Sequence, residues 1–251
     1  MLRHRQGQKL RNEANRGAGL SVKTNPLIIA LDVDSTSEAL RLVEAIGARA
    51  DIYKVGMELY AVGGMEFVEC LGSLRKQVFL DLKLYDIGET VKRATRQICK
   101  NEAIRFLTVH GSRSVMSAAV EGRGESATKL LAVTVLTSFD QEDLADLGYS
   151  VPISELVELR VEKAVKSGMD GIVCSGLEVA RVREVGGSKL TLVVPGVRSA
   201  QVEAGDQKRV ATPAEAMREG ADFLVIGRQV TRAAEPAAAC EQILSEIQAT
   251  S

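Results

Sequence analysis

The sequence has 251 residues, 45% of them hydrophobic and 26% charged, with a formal net charge of −1. That length is ordinary for one α/β barrel, and the composition is that of a globular chain with one large core. A near-neutral charge, 4% aromatic residues and no Trp exclude a strongly basic or base-stacking nucleic-acid surface, and no apolar run reaches the ~20 residues a membrane-spanning helix needs.

The chain opens on Arg3, Arg5, Lys9, Arg11, Arg16 and Lys23 against one acid, Glu13. Residues 1–25 are expected to form a disordered extension, with a transit peptide as the alternative; they contain no secretory apolar stretch. Cys70, Cys99, Cys174 and Cys240 are far apart and form no Cys-x-x-Cys pair. Reduced thiols in a cytoplasmic protein, and no metal site, are the expectation.

After Pro26, short runs rich in Val, Ile and Leu alternate with amphipathic stretches. The runs cover 27–33, 52–57, 78–84, 106–111, 129–137, 171–176, 191–197 and 223–228. Helical segments include 37–47, 90–102, 153–168 and 212–220. Thr36 or Ser37 is suited to cap the first, and Gly168 and Gly220 stand where helices end. Eight strand–helix units predict an α/β fold, a (β/α)₈ TIM barrel in a single domain over 26–251. A doubly wound sheet fits less well, because no Gly-x-Gly-x-x-Gly follows the first strand.

Barrels of this kind carry their active site at the C-terminal ends of the strands. Asp32 ends the first run, Lys54 lies in the second, Asp81 and Lys83 in the third, and Thr137 closes the fifth. Arg198 follows the seventh run, and Gly227 and Arg228 close the eighth. A charge inside an apolar strand is costly unless it is paired or functional. The two-residue strand period puts Asp81 and Lys83 on one face, with Leu82 and Leu84 toward the helices. One isolated pair of this kind reads better as a structural ion pair; agreement among five strand ends favours function. The loops after strands seven and eight are where such barrels bind phosphate, and Gly227 lets backbone approach an anion closely. Gln207 and Arg198 lie in the long segment between those runs. His110 ends the fourth run and is read as a packed or hydrogen-bonded barrel residue rather than a base.

These segments resemble the orotidine 5′-phosphate decarboxylase family. Asp81-Leu82-Lys83-Leu84-Tyr85-Asp86-Ile87 is similar to the family's Asp-x-Lys-x-x-Asp-Ile signature. Ala30-Leu31-Asp32, Lys54-Val55-Gly56, Leu136-Thr137-Ser138, Pro195-Gly196-Val197-Arg198, Gly205-Asp206-Gln207 and Val225-Ile226-Gly227-Arg228 continue the likeness in order over about residues 26–248. The chain departs from the family at Gly88 and Glu89, where Pro-Asn is usual.

The resemblance implies cofactor-free decarboxylation of orotidine 5′-phosphate to uridine 5′-phosphate, the last step of uridine nucleotide synthesis. It implies Lys83 as the proton donor to C6 and Asp81 as the group that orients it. Lys54 and Asp32 would hold ribose hydroxyls, and Thr137 would contact the pyrimidine. Gln207, Gly227 and Arg228 would grip phosphate, with Arg198 in the same closing loop. Asp86, with Thr90 nearby, would reach the neighbouring site of a homodimer. Two alternatives keep the same third strand. One is a magnesium-dependent 3-keto-gulonate-6-phosphate decarboxylase or hexulose-phosphate synthase; the other is a non-catalytic sugar-phosphate-binding barrel, which would have no use for a buried lysine set.

Overall fold

The first apolar run yields strand β1 (Leu27–Ala30) in a computed structural model that describes residues 25–199 and 211–249. Seven further strands follow: β2 (Ile52–Gly56), β3 (Gln77–Leu84), β4 (Ile104–His110), β5 (Lys129–Val133), β6 (Gly171–Val173), β7 (Thr191–Val194) and β8 (Phe223–Ile226). Each pairs in parallel with its neighbours, and β8 pairs with β1, so the sheet closes into an eight-stranded barrel. The α-helices are α1 (Thr36–Ile46), α2 (Met57–Ser73), α3 (Gly88–Ile98), α4 (Arg113–Arg123), α5 (Gln141–Asp146), α6 (Ile153–Ser167), α7 (Val179–Gly186) and α8 (Pro213–Arg218), which lie between strands, and α9 (Arg228–Thr231) and α10 (Pro236–Gln248), which follow β8.

Strand alternation sorts the core into two bodies. Ile28, Ala30, Ile52, Phe79, Phe106, Leu131, Val193, Phe223 and Val225 point inward and form one buried cluster. Phe106 sits at its centre, with edge contacts to Phe79 and Phe223 at ring separations of 6.0 and 5.3 Å. Truncating such a side chain to Ala costs about 3–5 kcal/mol. The alternate residues, Leu27, Ile29, Tyr53, Val55, Val78 and Leu80 among them, pack outward against the helices. Helix faces match: α3 buries Val91, Thr95 and Ile98, spaced four and three apart.

The inward file turns polar at the C-terminal ends. Ala30 gives way to Asp32, Ile52 to Lys54, Phe79 to Asp81, and Phe106 to Thr108. The apolar plug therefore ends one layer below a charged mouth.

Several strands stop before the apolar runs do. β1, β5 and β7 end at Ala30, Val133 and Val194, which leaves Asp32, Thr137 and Arg198 on the loops beyond. The cap of α1 is Ser35, not Thr36 or Ser37: Ser35 has extended backbone and accepts from the Glu38 N–H, while Thr36 is already helical. Gly168 caps α6 in the left-handed region at φ 75°. Residues 1–24 of the expected N-terminal extension, and Gln207, lie outside the described residues. All four cysteines are free. Among the described residues no helix is long and apolar enough to cross a membrane.

Candidate active site

Four charged side chains from three adjacent strand ends meet at the barrel mouth. Lys54 Nζ lies 2.6 Å from Asp32 Oδ1 and 4.0 Å from Asp81 Oδ2. Lys83 Nζ lies 2.9 Å from the same Asp81 oxygen. The signs thus alternate along Asp32, Lys54, Asp81 and Lys83. Lys54 and Asp81 are the enclosed members, with side chains 11% and 14% exposed, and Lys83 is more open at 33%. Each enclosed charge has an opposite neighbour on both sides, which offsets the cost of removing it from water. Lys83 is the more open of the two lysines, and both face the space beside the set.

The third strand reaches this arrangement by a route that simple alternation does not give. Leu80 pairs with Leu107 but Leu84 pairs with Val109, so β3 carries a bulge across Asp81–Lys83. Lys83 sits at φ 49°, in the left-handed region that a residue with a side chain enters only at a cost of about 1–2 kcal/mol. Its N–H is bonded to Thr108 Oγ1 at 2.9 Å. Leu82 and Leu84 still pack against the outer core, as the strand period predicts.

Two adjoining cavities open beside the charged set. The first, about 170 Å³, is walled by Phe79, Val133, Val173 and Val225 and edged by Lys54, Asp81, Lys83, Thr137 and Ser138. The second, about 320 Å³, is lined by Asp32, Lys54, Gly196, Arg198, Gly227, Arg228 and Arg232. Lys54, Pro195 and Val225 border both. The result is a slot with an apolar end, a lysine–carboxylate centre and an arginine-rich end, which suits an anionic molecule with an apolar part. A Cβ at Gly227 would make only an ordinary 3.8 Å contact with Ala30, so the protein's own packing does not demand glycine there.

Of the residues singled out from sequence, Asp32, Lys54, Asp81, Lys83, Thr137, Arg198, Gly227 and Arg228 come together here. Asp86 and Thr90 line neither cavity of their own chain. Asp86 is exposed between Tyr85 and Ile87, which are 69% and 73% exposed, and accepts from the Ile87 N–H. Glu89 does not add its charge to the mouth; it lies exposed in the first turn of α3, 3.7 Å from Arg93. The His110 ring lies against Tyr85 with centroids 4.3 Å apart and planes tilted by 34°, and its buried Nδ1 has no hydrogen-bond partner among the described residues. Burial, reinforced by the Arg160 charge, pushes its imidazole below the ordinary range.

Three residues were given no role of their own in the sequence reading. Thr108 bonds both Asp81 and Lys83, and its place in the inward file with Phe106 and His110 was the available signal. A Cβ at Gly56 would come within 3.1 Å of Lys54 Nζ and 3.4 Å of Asp32 Oδ1, so this glycine makes room for that pair. Arg232, just past α9, adds a further cation to the second cavity.

A family model described as "Orotidine 5'-phosphate decarboxylase / HUMPS family" matches residues 25–243. An orotidine 5′-phosphate decarboxylase of Rhodopseudomonas palustris (strain BisB5) is 48% identical over 221 residues, which is 88% of this chain and 94% of that protein. One from Bradyrhizobium sp. (strain ORS 278) is 49% identical, covering 88% of this chain and 90% of that protein. Among solved structures, an orotidine 5′-phosphate decarboxylase from Lactobacillus acidophilus superimposes with a TM-score of 0.77 at 34% identity, over 88% of this chain and 98% of that one.

Proposed function

Because this chain belongs to the orotidine 5′-phosphate decarboxylase / HUMPS family, we propose that it converts orotidine 5′-phosphate to uridine 5′-phosphate and carbon dioxide without a cofactor. The observation that carries this reading is the alternating Asp32–Lys54–Asp81–Lys83 set beside an arginine-lined cavity.

The substrate lies along the slot. Its phosphate meets Arg228 and the Gly227 backbone, with Arg198 beside them in the second cavity; the family resemblance adds Gln207, which lies outside the described residues. Lys54 and Asp32 hold the ribose hydroxyls, and Thr137 contacts the pyrimidine, which enters the apolar end. As the bond from C6 to the carboxylate breaks, the electron pair stays on C6 and carbon dioxide leaves. The Lys83 ammonium faces that carbon, stabilises the developing negative charge and transfers its proton to it; water then reprotonates the lysine. Asp81 holds the ammonium in place through the 2.9 Å ion pair. Phosphate contacts far from C6 supply binding energy that assembles the site.

The active form is a homodimer in which Asp86 and Thr90 complete the partner's site. Support comes from the exposure of Asp86 and from its absence among the residues that line its own chain's cavities. The compartment we infer is the cytoplasm, in keeping with four free cysteines.

Loss of orotidine 5′-phosphate absorbance, followed with and without EDTA, tests the reaction. Equal rates in both conditions are expected. Activity abolished by the chelator, or confined to 3-keto-gulonate 6-phosphate or hexulose phosphate, would overturn the assignment in favour of a magnesium-dependent sister activity.

A further inference from the structure

We propose that Thr108 is a positioning residue for this reaction, acting through Asp81 and Lys83 together. The inference rests on the roles given above to those two residues and adds one that they require.

Thr108 lies in the middle of β4 and is fully buried. A hydroxyl has one proton to donate and lone pairs to accept with. This one donates to Asp81 Oδ1 at 2.9 Å and accepts from the Lys83 N–H at 2.9 Å. One side chain therefore holds both the carboxylate and the backbone of the lysine paired to it.

Both bonds answer a need created by the bulge in β3. The slip between Leu80 and Leu84 takes the Lys83 N–H out of the regular ladder, and Lys83 stands in a left-handed conformation that its surroundings must enforce. Thr108 gives that N–H a partner. It also takes up Oδ1 of Asp81, so Oδ2 is the oxygen turned to Lys83 Nζ at 2.9 Å and toward Lys54 Nζ at 4.0 Å. The carboxylate is thus clamped at one oxygen and presents the other. Val at this position would keep the strand and the volume but leave two part-buried polar groups, Asp81 Oδ1 and the Lys83 N–H, without this partner.

Thr108 lines neither of the two cavities, so it stands behind the site rather than among the ligand contacts assigned above. Its loss should shift the ammonium while leaving every binding contact in place. That predicts a fall in kcat without a matching change in KM.

Three variants test this: Thr108→Val, Thr108→Ala and Thr108→Ser. The Ala and Ser forms differ by the hydroxyl alone, so the comparison survives if Val does not fold. Val and Ala are expected to lose about ten- to a hundredfold in kcat, with KM and uridine 5′-phosphate affinity changed by less than about threefold. Ser is expected to stay within about threefold of the parent in kcat. The proposal is overturned if Val or Ala keeps the parent kcat, if Ser falls as far as Ala, or if product affinity drops in step with kcat. Lys83→Ala run in parallel separates the two levels. An active Lys83→Ala removes the site reading itself, whereas an inactive one beside fully active Thr108 variants overturns only the role of Thr108.

Discussion

Asp81 uses both of its oxygens, one for Thr108 and one for Lys83, while Lys54 sits between Asp32 and Asp81. At this scale function rests on charge spacing, and each end of the slot can be tested separately. Arg228→Ala should weaken capture of orotidine 5′-phosphate by about ten- to a hundredfold in kcat/KM, the size of a lost charge-assisted hydrogen bond. Orotidine lacking the phosphate should be turned over by parent and variant alike. Equal losses on both substrates would show that Arg228 does not contact phosphate. The charged members of the site were legible in the sequence because Asp or Lys within a Val, Ile and Leu run stands out at once. Thr108 and Gly56 were not, since Thr is common in strands and the value of Gly56 lies in an absent Cβ that only the Lys54–Asp32 pair reveals. Asp86 was legible as a motif position, and its place past the third run, out of step with Asp81 and Lys83, was the reason to expect it beyond its own barrel mouth; it lines neither cavity.

At the scale of elements, the eight apolar runs marked all eight strands, because the inward and outward faces of a parallel barrel are both buried and the run is continuous. Their C-terminal limits were less clear, since residues such as Val135 and Val197 remain buried after the strand has ended. The bulge in β3 could not be foreseen from alternation, which assumes an unbroken ladder. α2 was obscured by Gly63 and Gly64; the latter adopts φ 54° and breaks the helix. The start of α3 offers a test. Gly88 is its first residue, and Ile87 before it has φ −59° and ψ 144°, a conformation that favours a following proline. A Cβ at Gly88 meets only Ala118, at 3.6 Å. Gly88→Pro should therefore stabilise the fold by about 0.4–1 kcal/mol by restricting the unfolded chain, seen as a Tm rise of about 1–4 °C. A lower Tm would mean that this turn needs the freedom of glycine.

For the whole molecule, the barrel brings all but two of the described site positions into one mouth, and those two, Asp86 and Thr90, set the prediction at this scale. Lys83→Ala and Asp86→Ala proteins, each inactive alone, should regain activity when their subunits exchange. A mixed two-fold dimer holds one site with both lesions and one with neither. Random exchange makes about half the dimers mixed, so recovery should reach about a quarter of parent activity. If Asp86 serves its own subunit, every site keeps one lesion and nothing is recovered, once labelled subunits have shown that exchange took place.

The central claim is that the Lys83 ammonium protonates C6, and the turnover of orotidine 5′-phosphate by purified Lys83→Ala tests it most directly. With uridine 5′-phosphate binding intact as evidence of a folded site, the rate should fall by at least about a thousandfold, the loss of a proton donor together with its electrostatic stabilisation. A folded variant that still decarboxylates within about tenfold of the parent would contradict the account.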